Sequence, residues 1–342
     1  MPLAFASDNN APVHPKVLDA IARANVGHAP AYGADEHTAR VTERFRALFG
    51  RPDLGVLLVF NGTGANVLGL AAMARPHDAI LCADGAHIYA DEANAPERFL
   101  GAKLVPVATQ EGKLTPALLE PHVKGVGSFH HAQPRVVSIT QASELGTVYT
   151  RAELAALRAF CDRHEMLLHM DGARLANAVV ALGSLADATH GVDVLSFGGT
   201  KNGALAAEAV LVFRPELARD LLWTRKQVTQ LASKMRYIAA QLEALLEGDL
   251  WLENARQANR AAALLANEAS AVPGVRIAYP TQANEVFARL PREAIARLRA
   301  EGRFEVWDER EDLVRFVCSW DTTENDVRAW AAAIRRAVGE RA

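Results

Sequence analysis

Cysteine is scarce in this 342-residue chain: Cys82, Cys161 and Cys318 are far apart and odd in number. That pattern excludes a disulfide framework and a CxxC metal site, and it leaves reduced thiols as the default. An excess of one charge is also lacking. Lys and Arg number 37 against 40 Asp and Glu, a net charge of −3, so no basic surplus is available for nucleic acid or an anionic membrane. Long hydrophobic runs are missing: stretches such as 56–60 fall far short of the ~20 residues of a membrane span. Residues 1–10 carry no basic segment and no apolar core, so no secretory signal is read there and a soluble cytoplasmic protein is expected. Internal repeats and low-complexity tracts are absent as well. What is present is a globular composition, 50% hydrophobic and 23% charged, on a chain long enough for one large domain and a smaller one.

Short apolar runs alternate with helical stretches through the first two thirds. Strands are predicted at 56–60, 79–82, 103–107, 135–139, 166–170, 192–197 and 209–213, most of them continuously apolar. Such runs suit strands covered on both faces, and the helical stretches between them imply a mostly parallel α/β sheet. Thr150 with Glu153 three residues on is a capping-box signature for a helix from Arg151. Residues 215–246 and 251–271 read as long Ala/Leu-rich helices, and Pro273-Gly274 then breaks the chain. A smaller α+β unit follows, with strands near 275–279, 285–290, 303–306 and 313–317 and helices at 292–300 and 324–339. The predicted division is a large domain over 1–250 and a small C-terminal domain over 251–342.

Three motifs carry chemistry. Asn61-Gly62-Thr63-Gly64-Ala65-Asn66 follows a strand and opens a helix, an arrangement that offers backbone N–H groups and a hydroxyl to a phosphate. Alone, it fits a ligand-free tight turn equally well. Asp171, in Leu168-His169-Met170-Asp171-Gly172-Ala173-Arg174, follows a buried strand at the sheet edge where open α/β folds bind ligands. It suits either a ring-nitrogen partner or a helix cap. Lys201, in Ser196-Phe197-Gly198-Gly199-Thr200-Lys201-Asn202-Gly203, stands after a strand among small residues, as a Schiff-base lysine does; alone, it reads as a solvent-facing turn lysine. Together, a phosphate cradle, an acid and a lysine about thirty residues after the acid are the three parts a pyridoxal 5′-phosphate enzyme needs.

At these residues the chain resembles the low-specificity L-threonine aldolases, fold-type-I pyridoxal phosphate enzymes. Matching segments run nearly end to end: FASDNN at 5–10, AYGAD at 31–35, FNGTGAN at 60–66, GAHIYADE at 85–92, PRVVSITQASELGTVY at 134–149, LHMDGARLANA at 168–178, DVLSFGGTKNGALAAEA at 193–209, QLASKMR at 230–236 and VRFVCSWDT at 314–322. The lysine and aspartate motifs are shared widely among fold-type-I enzymes; their combination with SDN, AYG and AHIYADE is far more specific. The resemblance implies a transferase-like large domain with a mostly parallel sheet and a small α+β domain. It also implies cleavage of L-threonine, L-allo-threonine and related amino acids such as phenylserine to glycine and an aldehyde.

The resemblance further implies roles. Lys201 matches the Schiff-base lysine and Asp171 the partner of the pyridine nitrogen, while Gly62, Thr63 and Thr200 match cofactor-binding positions. His87 matches the histidine stacked on the cofactor ring. Arg174 matches a residue near the cofactor's phenolic oxygen and the substrate carboxylate, which Ser7 and Arg315 would also bind. Tyr32 matches an active-site tyrosine near the substrate or the cofactor. Lys226 and Arg236 match residues that reach a neighbouring subunit's cofactor phosphate, which implies a homotetramer of two catalytic dimers. No metal, nucleic-acid or membrane partner is implied. One position departs from the family pattern: Glu144 stands where other threonine aldolases carry a histidine near the substrate hydroxyl. A carboxylate there can accept a proton directly or through a water, and burial would raise its basicity; a purely structural Glu144 is the competing reading. The same Asp and Lys would also serve an aminotransferase or a β-eliminating lyase, and a non-enzymatic phosphate-binding module would need only the glycine turn.

Overall fold

A computed structural model describes residues 3–339. Its strands are β1 (Leu3–Ala4), β2 (Gly55–Val59), β3 (Asp78–Ala83), β4 (Lys103–Val107), β5 (Gln133–Thr140), β6 (Leu167–Gly172), β7 (Val194–Gly198), β8 (Glu208–Val212), β9 (Arg276–Ile277), β10 (Glu285–Arg289), β11 (Gly302–Arg303), β12 (Glu305–Asp308) and β13 (Leu313–Val317). Seven strands form the central sheet in the order β2-β8-β7-β6-β5-β3-β4. β3 to β7 are mutually parallel, and β8 runs antiparallel to both of its neighbours, β7 and β2. The mostly parallel sheet read from the sequence is therefore present. Every residue of β3, β6, β7 and β8 is buried, the consequence of helices covering both faces of continuously apolar strands.

The helix Arg151–Arg163 begins at the predicted box, with Thr150 and Glu153 each capping the other's backbone. The C-terminal sheet has the order β12-β13-β10-β9 and is antiparallel throughout. Among the described residues there are two large apolar cores, one drawn from residues 17–255 and one from residues 261–337 together with Phe5, and a small third cluster of Ala142, Val148, Ala178 and Ala283. β1 pairs in parallel with β11, and Phe5 stacks on Trp330 at 5.3 Å. The first described residues thus pack on the C-terminal sheet's side, although the sequence groups them with the first core.

The single helix predicted over 215–246 is corrected by the structure. It is broken into a 3₁₀ turn at Pro215–Ala218 and helices Leu221–Gln227 and Arg236–Leu246. Thr229 takes a left-handed φ of 62°, which ends the helical path. Gln230 then turns inward, accepting from the Phe60 amide at 3.3 Å and reaching Asn61 Oδ1 at 3.4 Å. Side-chain bonds to a loop about 170 residues away decide this break, and helical periodicity carries no trace of them.

Candidate active site

Strands running one way deliver their carboxyl ends to one edge, and the three motifs leave the sheet there. β2 runs into Asn61 and the helix Gly62–Ala71, β5 ends at Thr140, β6 delivers Asp171, and β7 leads to Lys201. Register sets Thr140 beside Asp171 and Gly198 beside Glu208, which opens the antiparallel β8 at the same edge. A cavity of about 260 Å³ lies over this edge. Gly62, Thr63, His87, Glu144, Asp171, Arg174, Thr200 and Lys201 all line it.

Asn61 caps its helix by accepting from the Gly64 amide at 2.7 Å. The first-turn amides of a helix have no intrahelical partner, and a Cβ placed on Gly62 would meet nothing within 4 Å, so the turn is an open cradle for an anion. Asp171 is buried and accepts from the Ala173 amide at 2.9 Å and from Asn66 Nδ2 at 2.7 Å. It caps its own turn and faces the cavity at once. Asn66 Nδ2 also donates to Glu92 Oε1 at 2.8 Å, and that oxygen holds His87 Nδ1 at 2.8 Å. The bond to Glu92 raises the His87 imidazole above its ordinary value, against the opposing effect of burial.

Lys201 sits in the 3₁₀ turn Thr200–Asn202, which is tied down on both sides. Glu208 accepts from the Gly199 amide at 3.0 Å and the Thr200 amide at 3.4 Å. Asn202 Nδ2 donates to the Trp251 carbonyl at 2.8 Å, and Asn254 Nδ2 donates to the Asn202 carbonyl at 2.9 Å. Gly203 closes the turn at φ 99°, where a Cβ would also press on Asn254 Nδ2 at 3.0 Å. Burial pushes the Glu208 carboxyl up to about 7, only partly offset by Thr200 and the backbone amides. Glu144 accepts from the His87 amide at 2.8 Å and from Thr140 Oγ1 at 2.7 Å; burial pushes it, too, up to about 7.

Arg174 leads from the cavity into a second cluster. Its Nε and Nη2 grip Asp8 at 2.7 and 2.9 Å, and Asn284 Nδ2 donates to the same carboxylate at 3.0 Å. Burial alone would raise the Asp8 carboxyl, but Arg174 and then Lys201 outweigh it and hold it below the usual range. Arg174 Nη1 lies 3.5 Å from Glu285 Oε1, and Arg315 Nη1 lies 3.6 Å from that same oxygen. The Arg315 guanidinium stacks over Trp307 at 4.9 Å.

Five predicted site residues do not line the cavity. Arg315 shares Glu285 Oε1 with Arg174 and stands outside the cavity lining. Ser7 accepts from the Asn9 amide at 3.2 Å and borders a separate hollow with Asn10 and Ser319. Tyr32, Lys226 and Arg236 gather elsewhere: Lys226 Nζ lies 5.2 Å over the Tyr32 ring, the Tyr32 amide donates to Ser233 O at 2.9 Å, and Arg236 Nη1 donates to Gly27 O at 3.1 Å. The structure also exposes residues that the sequence reading gave no role: Asp8, Asn66, Glu92, Glu208 and Glu285. The available signal was an acid or amide inside an apolar stretch, most plainly in β8 and β10, which both open on a glutamate.

The family model for β-eliminating lyases matches residues 4–291. The chain is 47% identical to a low specificity L-threonine aldolase of Pseudomonas aeruginosa, over 98% of both chains, and 44% identical to one of a Pseudomonas species, over 97% and 96%. Among solved structures, a threonine aldolase of Leishmania major superposes with a TM-score of 0.94 at 31% identity, covering 99% of this chain and 100% of that one. An aspartate aminotransferase of Thermus thermophilus shares the fold, with a TM-score of 0.74 at 17% identity over 98% and 91%. The chain belongs to the β-eliminating lyase family and, on these relatives, to the low-specificity L-threonine aldolases.

Proposed function

We propose that this chain cleaves L-threonine and L-allo-threonine, and further β-hydroxy-α-amino acids such as phenylserine, to glycine and an aldehyde. The observation that carries this reading is the convergence of the Gly62-Thr63 turn, Asp171 and Lys201 on one cavity, in a chain 47% identical to a low specificity L-threonine aldolase. The residues fit pyridoxal 5′-phosphate: an open helix N-terminus suits the phosphate, a buried carboxylate suits the ring nitrogen, and an amine on a fixed turn suits the aldehyde. Bound there, the cofactor would supply an aldehyde carbon for an amine and a protonated ring that takes up the electrons of the breaking Cα–Cβ bond.

Gly62, Thr63 and Thr200 would bind the phosphate, Asp171 would keep the ring nitrogen protonated, and His87, fixed by Glu92, would stack on the ring. Lys201 would hold the aldehyde carbon of the cofactor. Arg315, Ser7 and Arg174 would orient the substrate carboxylate, and Arg174 would also serve the phenolic oxygen. Glu144 accepts the β-hydroxyl proton, directly or through a water, in its ionised form above pH about 7. Lys226 and Arg236 would complete a neighbouring subunit's phosphate site, with Tyr32 beside them, in a homotetramer of two catalytic dimers. The separate apolar cores support a division into domains at 1–250 and 251–342, with the N-terminal strand lying against the smaller. The reading places the enzyme in the cytoplasm; among the described residues no helix is long and apolar enough to cross a membrane.

The test is to give the purified holoenzyme L-threonine without any keto-acid acceptor. Acetaldehyde and glycine in equal amounts are expected. Formation of 2-oxobutyrate and ammonia instead would favour β-elimination, and a requirement for a keto acid would favour transamination.

A further inference from the structure

The cluster beyond Arg174 holds a charge that the reading above does not use. Glu285 opens β10 with its carboxylate fully buried, and among the described residues neither Oε1 nor Oε2 has a hydrogen-bond partner. A buried carboxylate without hydrogen bonds is costly: it either takes a proton or stays ionised because nearby positive charge offsets its lost hydration. Here that charge is Arg174 Nη1 at 3.5 Å and Arg315 Nη1 at 3.6 Å, both too far or too poorly aligned to bond. Arg174 is already matched by its two short bonds to Asp8. Among the described residues Arg315 has the Trp307 face and Glu285, and its buried Nε has no partner.

Charge counting gives this arrangement a consequence. With Glu285 ionised, Asp8 and Glu285 against Arg174 and Arg315 make a neutral buried set. A substrate carboxylate arriving at Arg315 would add an uncompensated negative charge, and one proton on Glu285 would cancel it.

We propose that Glu285 is the resident counter-ion of the substrate-carboxylate site: it holds Arg315 against Arg174 while the site is empty, and it takes up one proton from solvent when an amino-acid carboxylate replaces it on Arg315. The proton returns to solvent when the carboxylate leaves, and no other bond is made or broken. The proposal rests on the reading of Arg315 given under Proposed function. The charged groups facing Glu285 are Arg174 after β6, Arg315 on β13, Asp8 in the N-terminal turn and Lys201 after β7. Burial raises its carboxyl most strongly; Arg174 and Arg315 oppose this, Asp8 adds to it and Lys201 subtracts from it. A second carboxylate nearby raises it further. Binding therefore weakens as pH rises between the free and the bound value, about tenfold for each pH unit.

The probe is 3-hydroxybutyrate, which keeps the carboxylate and hydroxyl of threonine and lacks the amine. Its binding to the holoenzyme is measured by calorimetry between pH 6 and 9, in buffers of different ionisation enthalpy, for wild type, Glu285→Gln and Arg315→Ala. Wild type is expected to take up about one proton per carboxylate bound between the free and the bound value, where its Kd climbs. Glu285→Gln is expected to bind about tenfold or more tightly than wild type there, without that proton. Glu144 is present in both proteins, so the difference isolates Glu285. Wild-type binding that depends on Arg315 but takes up no proton, or equal affinity and pH dependence in Glu285→Gln, overturns the role of Glu285 and leaves that of Arg315 standing. Undiminished binding to Arg315→Ala overturns the carboxylate reading itself. The wild-type proton count needs no variant, and its absence overturns the role of Glu285 even if Glu285→Gln folds poorly.

Discussion

The two ends of the site are built on opposite terms. At the cofactor end each buried carboxylate already carries two hydrogen bonds: Asp171 from Asn66 and the Ala173 amide, Glu92 from Asn66 and His87, Glu208 from the Gly199 and Thr200 amides. At the proposed carboxylate end two guanidiniums share Glu285 Oε1, yet among the described residues Glu285 has no hydrogen bond and Arg315 Nε no partner. The first arrangement is fixed before anything binds, so a resident group enters without reorganising it. In the second, Asp8 is held by Arg174 and Asn284 while Glu285 and Arg315 stay unsatisfied, which on the proposed reading suits a ligand that enters and leaves at every turnover. Location follows the same division. The first end rests on the edge of the seven-stranded sheet, whereas the second draws β10 and β13 of the small sheet together with the N-terminal turn.

Removing the covalent anchor breaks the comparison most severely. Lys201→Ala is expected to fold, because the side chain supplies chemistry rather than core volume, and to lose turnover and any borohydride-fixable cofactor. A variant that still traps cofactor with borohydride would refute the assignment of Lys201. Next comes the far end. Arg315→Ala is expected to lower kcat/KM about a hundredfold or more, a loss of roughly 3 kcal/mol, because a planar guanidinium holds a carboxylate with paired charge-assisted bonds. Lys at 315 should restore only part of this. A kcat/KM within a few-fold of wild type would remove the carboxylate role.

Glu144 tests the middle of the cavity. As a base it must be ionised, and burial pushes it up to about 7, so wild-type kcat should rise with pH through that region. Glu144→Gln is expected to lower kcat about tenfold or more and to flatten that limb, with cofactor content unchanged. A near-wild-type profile would reduce Glu144 to a structural residue. Asn66→Ala should have the smallest kinetic effect. It strips one donor from two buried carboxylates and is expected to cost roughly 1–3 kcal/mol of stability, read as a lower Tm, with KM for threonine within about twofold. A large rise in KM with no change in Tm would show that the two ends are not separable.

The parts legible in the sequence were those set by local order. Gly62 and Lys201 each follow an apolar strand by three residues and Asp171 is the last but one of β6, so a parallel sheet had to bring them to one edge. The hydrogen-bonded relay was not legible, because Asn66 meets Glu92 and Asp171 across 26 and 105 residues of sequence, through contacts that only the folded helix and strands create. Glu285 was hidden for another reason. An acid heading an apolar strand looks like a solvated strand end, and its burial depends on Arg174 and Arg315 arriving from elsewhere. Lys226 and Arg236 were assigned to a neighbour's site by resemblance, and a single chain shows only that they stand apart from the cavity, beside Tyr32 and Gly27.

The division between the ends is tested most directly by measuring two dissociation constants on one variant, Arg315→Ala. Pyridoxal phosphate is followed by its absorbance and glycine by calorimetry on the loaded protein. The account predicts a cofactor constant within about twofold of wild type and a glycine constant weakened about a hundredfold. A variant that loses both affinities together, or neither, would contradict it.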